Sequence, residues 1–213
     1  ITSLLFLPKD RTLISIIVGG SIIFVSGFFD DIKELSPKGK LIFQLVAAIV
    51  LILGDVKIDA ITNPLDRPGA VLSLGIFAVP ITIFWVVGIT NTLNLIDGLD
   101  GLAAGVAMIA SLSFSLVANK FNYIPVIIMS AIVAGACTGF LPYNFNPAKI
   151  FMGDTGALFL GFIMAALSIE GVMKSVATIA VVVPILILGV PIFDTTFAIF
   201  RRLLSGRSIA EAD

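Results

Sequence analysis

Three short acidic segments carry residue types that could bind a hard metal ion. Asp30 and Asp31 are adjacent in FFDDIKEL, Asp97 and Asp100 are three residues apart in NLIDGLDG, and Asp154 follows a glycine in FMGDTGAL. Neighbouring carboxylates repel one another, and a cation between them offsets that repulsion. Magnesium prefers carboxylate oxygens and retains water ligands that a substrate phosphate can displace. The three segments therefore predict a magnesium site at which phosphate chemistry takes place.

Each acidic segment also has a simpler interpretation, which the residues alone leave open. Asp30 and Asp31 could form a solvated turn at a membrane interface. Asp97, Asp100 and Asp154 could cap the free N–H groups at the start of a helix. Capping needs only one aspartate, however, and the second segment has two. The glycines beside them would also let a ligand approach the backbone closely.

Other side chains near these segments could hold a substrate. Asn144 could form a hydrogen bond with a base or sugar, and the Phe151 ring could stack on a base or lie at the membrane interface. Lys38 could hold an anionic headgroup or anchor its helix at the interface. Asp194 lies in an apolar run, where an acid is costly and is therefore a functional candidate, with a salt bridge to Arg201 as the alternative.

The composition is that of a membrane protein. Of the 213 residues, 58% are hydrophobic and 13% are charged, and the mean hydropathy is +1.13. A soluble domain cannot bury that much apolar surface. The net charge of −1 provides no basis for nucleic-acid binding, and the absence of histidine removes the usual proton shuttle and zinc ligand. Cys137 lies in an apolar run and is expected to be an inert, packed residue.

Repeated apolar runs predict an all-α membrane protein, a multispan transmembrane helical bundle that forms one domain over residues 1–213. The connection 55–73 has alternating β-branched residues and turn signals, which predict a small extracytoplasmic β-hairpin. The chain begins at Ile1 rather than Met, so we expect a fragment of a longer multispan protein. The predicted spans are residues 12–29, 40–54, 74–91, 101–118, 122–140, 156–172 and 175–200.

The alternation of the spans predicts where the acidic segments lie. Successive spans run in opposite directions, so all three acidic segments fall on the same side of the membrane. Lysine and arginine are slightly more frequent on that side, and they include the Arg201–Arg202 pair after the last span. By the positive-inside rule this side is cytoplasmic. We therefore predict a multi-pass protein of the plasma membrane with its active site on the cytoplasmic face.

Four stretches of the sequence, in this order, resemble the polyprenyl-phosphate N-acetylhexosamine-1-phosphate transferases: GFFDDIKELSPKGKL, NTLNLIDGLDGLAAG, FNPAKIFMGDTGALFLGF and PIFDTTFAIFRRLLSGRSI. The resemblance covers residues 24–208. The first and last stretches favour the undecaprenyl-phosphate N-acetylglucosamine-1-phosphate transferase branch, which initiates teichoic acid, O-antigen or enterobacterial common antigen chains. Together with the resemblance, the sequence assigns Asp30, Asp31, Asp97 and Asp100 as catalytic residues, Asp154 and Asp31 as metal ligands, and Asn94, Asn144, Phe151, Lys38 and Asp194 as substrate-binding residues.

The resemblance also implies a reaction and its partners. N-acetylglucosamine 1-phosphate would pass from UDP-GlcNAc to undecaprenyl phosphate, with Mg²⁺ as cofactor or Mn²⁺ in its place. The implied partners are a UDP-N-acetylhexosamine, the polyprenyl phosphate lipid, the membrane and, as in many membrane families, a second copy forming a homodimer. The family usually has N-terminal spans and a His-rich loop that these residues lack, so the 213 residues alone could be inactive. The alternatives are phospho-N-acetylmuramoyl-pentapeptide transfer in peptidoglycan synthesis and, in a different class, an ion or proton transporter.

Overall fold

The computed structural model describes residues 11–62 and 70–173. The predicted span 175–200, and Asp194 within it, lie outside the described residues. Within them the chain forms six α-helices and one small two-stranded sheet. The helices are α1 (Arg11–Lys33), α2 (Pro37–Leu53), α3 (Ala78–Ile96), α4 (Leu102–Lys120), α5 (Ile124–Asn144) and α6 (Gly153–Ser168).

The helices have the length and surface of membrane-spanning segments. Five described helical segments, which contain α1, α3, α4, α5 and α6, are long and apolar enough to cross a bilayer. Large apolar side chains also cover the outside of the bundle, and Phe84 and Leu116 are 78% and 71% exposed. In water such a surface would be unfavourable, whereas in a bilayer it faces lipid. The predicted class, a helical membrane bundle with a small hairpin, is confirmed.

The hairpin lies in the long connection between α2 and α3. Strand β1 (Ala60–Thr62) pairs antiparallel with β2 (Val71–Ser73), and Ala60 lies opposite Ser73. A 3₁₀ turn at Gly75–Phe77 then leads into α3. The connection is attached to the bundle, because the Ile58 N–H donates a hydrogen bond to the Thr82 hydroxyl at 2.9 Å. The hairpin therefore marks the end of the bundle where α2 ends and α3 begins.

Helix α6 is the central helix of the described bundle. It packs against α1 on one side and α3 on another, while α4 and α5 form a closely packed pair beside it. Most of α6 beyond its first turn is buried, including Leu158, Phe162, Met164 and Leu167. Its first turn, by contrast, is only partly buried and carries Asp154. Packing on several sides therefore fixes the position of α6 and of Asp154 in its first turn.

A glycine lets the backbones of α1 and α6 meet near Asp154. A Cβ atom at Gly27 would lie 2.5 Å from the Thr155 Cα and 2.8 Å from the Thr155 nitrogen, so no larger residue fits without moving a helix. One turn further along α1 come Asp30 and Asp31. The close approach at Gly27 therefore carries both aspartates to the start of α6.

Candidate active site

One end of the bundle collects the three acidic segments. At this end α1, α3 and α5 finish and α2, α4 and α6 begin, so the short connections 34–36, 97–101 and 145–152 lie side by side. Contacts link them directly: Asp31 to the start of α6, Asn94 to Asp154, and Asn144 to Gly101. Alternation of the spans predicts this common end, and these contacts agree with it.

The two carboxylate oxygens of Asp154 are held by two different helices. The Lys40 ammonium of α2 lies 2.7 Å from Oδ2, and the Asn94 amide of α3 donates to Oδ1 at 2.8 Å. Lys40 also forms an ion pair with Asp30 at the end of α1. Asp154 and Asp30 thus share one ammonium group, and four helices contribute to a single polar cluster.

Asp30 is the most buried of the five aspartates. Its side chain is only 5% exposed, and one oxygen accepts a hydrogen bond from the Leu35 N–H at 2.7 Å. This hydrogen bond closes the turn between α1 and α2. The ion pair with Lys40 offsets the cost of burying the charge, since a buried carboxylate without a partner is strongly unfavourable. Asp30 is therefore a structural anchor for Lys40 as well as a candidate for chemistry.

Lys40 is the lysine at the start of α2 that contacts the acids, whereas the sequence selected Lys38 from the same turn as the substrate-binding residue. Lys38 is exposed and forms no hydrogen bond or ion pair with any described residue. The available signal was spacing: Lys40 lies four residues before Gln44 and shares its helix face, and Gln44 is buried.

Asp31 caps α6 from another helix. Its Oδ1 accepts a hydrogen bond from the Asp154 N–H at 2.8 Å, and its Oδ2 accepts one from the Thr155 N–H at 3.1 Å and one from the Thr155 hydroxyl. Gly153 has a φ of +66°, and a Cβ there would lie 3.0 Å from both Asp31 oxygens, so glycine alone fits. The N–H groups at the start of α6, for which the sequence suggested a local cap, are therefore taken by Asp31.

Asp97 differs from the other acids because it has no partner among residues 11–62 and 70–173. It ends α3, is partly buried, and receives neither a hydrogen bond nor an ion pair from these residues. Burial, followed by the nearby charge of Asp154, raises the pKa of Asp97 to about 6. An acid that is buried beside a second acid without a compensating charge is well suited to bind a cation.

Replacing Asp97 with asparagine should stabilise the metal-free protein more near pH 8 than near pH 5. Aspartate in the unfolded chain titrates near pH 4, whereas the folded pKa is about 6. The folded state therefore binds more protons between these values, and the contribution of Asp97 to the free energy of unfolding falls as the pH rises through them. After allowance for solvent screening, we expect a gain of about 1 kcal/mol, or about 2–4 °C in Tm.

Thermal unfolding in a chelator at the two pH values measures this gain. Asp59→Asn is the matched control, because it removes an exposed carboxylate that is paired with Lys57 near the hairpin, at the end of the bundle away from Asp97. Added Mg²⁺ should remove the advantage of the Asp97 variant. A pH-independent difference for Asp97→Asn would contradict the raised pKa.

Asp100 and Asn144 form a second cluster that joins two loops. Asp100 Oδ2 accepts hydrogen bonds from the Ala148 N–H at 2.9 Å and the Asn146 amide at 3.2 Å. Asn144 is 3% exposed; it accepts from the Gly101 N–H and donates to the Ile150 carbonyl. Both side chains thus hold the 97–101 and 145–152 connections together, and their catalytic and substrate-binding roles stay predictions.

Phe151 is placed beside this second cluster. Its ring is 75% exposed, directly after Ile150, whose carbonyl is bound by Asn144. The ring is therefore accessible to a flat ligand or to lipid, and its stacking role stays a prediction. The loop itself is held firmly enough to present the ring at a fixed place, because Ala148 and Ile150 are both anchored.

The described residues fit a magnesium ion that is shared with a phosphate. No group of three or more carboxylate or thiolate side chains among them is arranged to hold a metal ion alone. Mg²⁺ commonly takes only one or two protein carboxylates and completes its shell with water and substrate phosphate. Asp97 and Asp154 could supply that number, because they are close enough for the charge of Asp154 to raise the pKa of Asp97, and Asp97 lacks a competing partner among the described side chains. The donor set therefore suits a metal–phosphate complex better than a metal ion alone.

A pair of amides fixes the two helices that hold Asp154. Gln44 donates to the Asn91 Oδ1 at 3.1 Å, and Asn91 donates to the Gln44 Oε1 at 2.7 Å. Gln44 is one turn from Lys40 on α2, and Asn91 is about one turn from Asn94 on α3. This reciprocal pair sets the spacing of α2 and α3 about one helical turn away from their contacts with Asp154.

Replacing Gln44 alone should therefore cost more stability than replacing both amides. Gln44→Leu leaves the Asn91 oxygen without its donor, although the Asn91 N–H still bonds the Val87 carbonyl, and we expect a loss of about 1 kcal/mol. The double variant with Asn91→Leu removes both polar groups, so most of that loss should return. A thermal double-mutant cycle measures the coupling. Strictly additive effects of the two substitutions would show that the amide pair contributes nothing as a pair.

Comparison with known proteins gives a consistent family match. Residues 13–172 match the family described as glycosyl transferase family 4. The chain is 47% identical over 204 residues, or 96% of its length, to a Bacillus subtilis (strain 168) protein named a probable undecaprenyl-phosphate N-acetylglucosaminyl 1-phosphate transferase, of which the match covers 56%. It is 33% identical over 218 residues to the decaprenyl-phosphate N-acetylglucosaminephosphotransferase of Mycobacterium tuberculosis (strain ATCC 25618 / H37Rv), covering 93% of this chain and 54% of that protein.

A third relative comes from another branch. The phospho-N-acetylmuramoyl-pentapeptide-transferase of Halalkalibacterium halodurans is 44% identical over 155 residues, which is 68% of this chain and 47% of that protein. The chain thus spans about half the length of the curated relatives it matches. The resemblance that the four sequence stretches indicated is confirmed at the level of the family.

Proposed function

Because the chain belongs to glycosyl transferase family 4, we propose that the protein transfers N-acetylglucosamine 1-phosphate from UDP-GlcNAc to undecaprenyl phosphate and releases UMP. The observation that carries this proposal is the cluster in which Lys40 and Asn94 hold Asp154, whose charge raises the pKa of Asp97, a carboxylate without a partner among the described residues. The relatives named for N-acetylglucosamine transfer match 93% and 96% of the chain, against 68% for the muramoyl-pentapeptide relative, which supports this branch.

The main barrier to this reaction is electrostatic, because two anionic phosphates must approach each other. A magnesium ion bound to the donor diphosphate would supply countercharge and polarise the phosphorus that is attacked. In our proposal Asp154 and Asp97 hold that ion, and Asn94 keeps the Asp154 carboxylate in one orientation. Asp31 contributes by fixing the first turn of α6, on which Asp154 lies, rather than by binding the ion.

The acceptor phosphate needs little help from a general base. A phosphate monoester has its second pKa near 6 and is largely ionised at neutral pH. Asp30 is also poorly available as a base, since it is buried and paired with Lys40. We therefore expect Asp30→Asn to leave the shape of the pH–rate profile unchanged, whatever its effect on the rate. Loss of the acidic limb of the profile in this variant would show that Asp30 takes a proton.

The position of the acids supports a transferase rather than an ion pathway. Asp30, Asp97 and Asp154 lie at helix ends, near one face of the bundle. Acids that carry protons or ions across a membrane are expected at mid-depth as well. We propose that this face is cytoplasmic, where a nucleotide sugar is available, and that the polyprenyl chain of the acceptor lies along the apolar outer surface.

An exchange assay tests the proposed reaction. The full protein in detergent is incubated with radiolabelled UMP, UDP-GlcNAc and Mg²⁺, with or without undecaprenyl phosphate. We expect label to enter UDP-GlcNAc only when both lipid and metal are present, because exchange requires reversal of the transfer. Replacing UDP-GlcNAc with UDP-N-acetylmuramoyl-pentapeptide is the control for the other branch. Exchange with the pentapeptide donor alone would contradict the proposal, whereas exchange without lipid would show that the sugar phosphate is first bound covalently to the enzyme.

A further inference from the structure

The position of Lys40 raises a question about how a metal ion reaches Asp154. The Lys40 ammonium contacts Asp154 Oδ2 at 2.7 Å and also pairs with Asp30. A metal ion bound to Asp154 would bring a second positive group to the same carboxylate. Lys40 and the ion cannot both lie against the same oxygen, because like charges at that distance repel strongly. Binding of the ion at Oδ2 therefore requires Lys40 to move or to lose one contact, and Oδ1 already accepts the hydrogen bond from Asn94.

Asp30 offers the ammonium group a place to remain. It is buried at the end of α1, fixed by its hydrogen bond to the Leu35 N–H, and already in contact with Lys40. Lys40 can therefore release Asp154 while keeping an anionic partner, which avoids the large cost of an unpaired buried carboxylate. Asn94 continues to hold the other oxygen of Asp154 throughout.

We propose that Lys40 is an exchangeable counter-ion, which neutralises Asp154 before the divalent ion binds and withdraws onto Asp30 when the ion arrives. Lys40 and the ion compete for one carboxylate, and Asp30 lowers the cost of the exchange. Lys40 thereby keeps Asp154 in place without metal and weakens metal binding in the absence of a bound diphosphate. This inference rests on the proposed function, because it takes Asp154 as a metal ligand.

Competition predicts opposite effects for the two partners of the ion pair. Lys40→Met removes the competitor, so the apparent affinity for Mg²⁺ should rise by about fivefold or more, although transfer activity should fall. Asp30→Asn leaves Asp154 as the only anionic partner of Lys40, so the apparent affinity for Mg²⁺ should fall by a similar factor. A residue that merely stabilises the fold would weaken metal binding in both variants.

The measurement is thermal stabilisation of the full protein as a function of MgCl₂ concentration, with UDP-GlcNAc absent and then present. Lys120→Met is the control, because Lys120 is an exposed lysine at the end of α4 that lies opposite the acidic segments, without an ion pair among the described residues, and its Mg²⁺ affinity should be unchanged. If Lys40→Met does not fold, Lys40→Gln replaces it, because this substitution also removes the competing charge and the same rise in affinity is expected.

The possible outcomes separate this inference from the proposed function. Tighter binding in Lys40→Met together with weaker binding in Asp30→Asn supports the exchange. Unchanged or weaker binding in Lys40→Met, or unchanged or tighter binding in Asp30→Asn, while the wild-type protein is stabilised by Mg²⁺ and UDP-GlcNAc, overturns it. No stabilisation of the wild-type protein by Mg²⁺ with UDP-GlcNAc would instead overturn the proposed function, and the exchange with it.

Discussion

Replacing Asp154 with asparagine should lower Mg²⁺-dependent transfer by about 10³-fold while the protein remains folded, since the loss of one pre-organised charge at a reacting group typically costs two to three orders of magnitude. Asparagine keeps an oxygen for the hydrogen bond from Asn94. It turns an amide rather than a carboxylate toward Lys40, which still has Asp30 as its partner. The substitution therefore removes a metal ligand without dismantling the cluster that surrounds it.

The control for this variant is its thermal stability without metal. In a chelator, we expect the Tm of Asp154→Asn to lie close to that of the wild-type protein. Mg²⁺ with UDP-GlcNAc should raise the Tm of the wild-type protein but not that of Asp154→Asn. Raising the Mg²⁺ concentration should recover little activity, because the substitution removes the negative charge of Asp154 and does not merely weaken the affinity for Mg²⁺. An Asp154→Asn protein with normal transfer would refute the metal role of this residue.

Replacing Asp31 with leucine should lower transfer by about 10²-fold, because a displacement of about 1 Å at a reacting group has an effect of this size. Leucine has nearly the same shape but accepts none of the three hydrogen bonds from the first turn of α6. The free energy of unfolding should fall by about 1–2 kcal/mol, as for the loss of a helix cap. Activity and thermal unfolding of the same preparation measure both effects.

Asp31→Asn distinguishes a cap from a metal ligand. Its amide oxygen can still accept a hydrogen bond from the N–H of Asp154 or Thr155, so a capping role predicts a loss of no more than about tenfold in transfer. The Mg²⁺ concentration needed for half-maximal activity should stay the same. If Asp31 instead binds the ion, as the sequence suggested, the Mg²⁺ concentration needed for half-maximal activity should rise in Asp31→Asn.

The bundle and the meeting of the acidic segments could be expected from the sequence. Apolar runs long enough to span a bilayer specify helices, and helices joined by short loops must alternate in direction. Alternation then places Asp30, Asp97 and Asp154 at a common end without any knowledge of the packing. The β-hairpin could be expected too, because the turn signals and alternation of its segment differ from those of the spans.

The partners of each acid could not be expected, because they depend on how the helices rotate and how closely they approach. Lys38 and Lys40 are equivalent by composition, and only the rotation of α2 directs Lys40 to Asp154. The cap on α6 comes from Asp31, which is more than a hundred residues away in sequence. Its place depends on the contact between Gly27 and Thr155. Local capping rules favour a nearby residue and therefore pointed to Asp154 itself.

Electron–nuclear double resonance with Mn²⁺ in place of Mg²⁺ tests the central claim most directly, because it reports whether the metal ion bound at Asp154 is also bonded to the substrate. For the full protein with Mn²⁺ and UDP-GlcNAc, we predict a phosphorus coupling typical of a directly coordinated phosphate oxygen. The signal should persist in Lys120→Met and disappear in Asp154→Asn. An unchanged phosphorus coupling in Asp154→Asn, or bound Mn²⁺ without phosphorus coupling in the wild-type protein, would contradict the shared metal–diphosphate site.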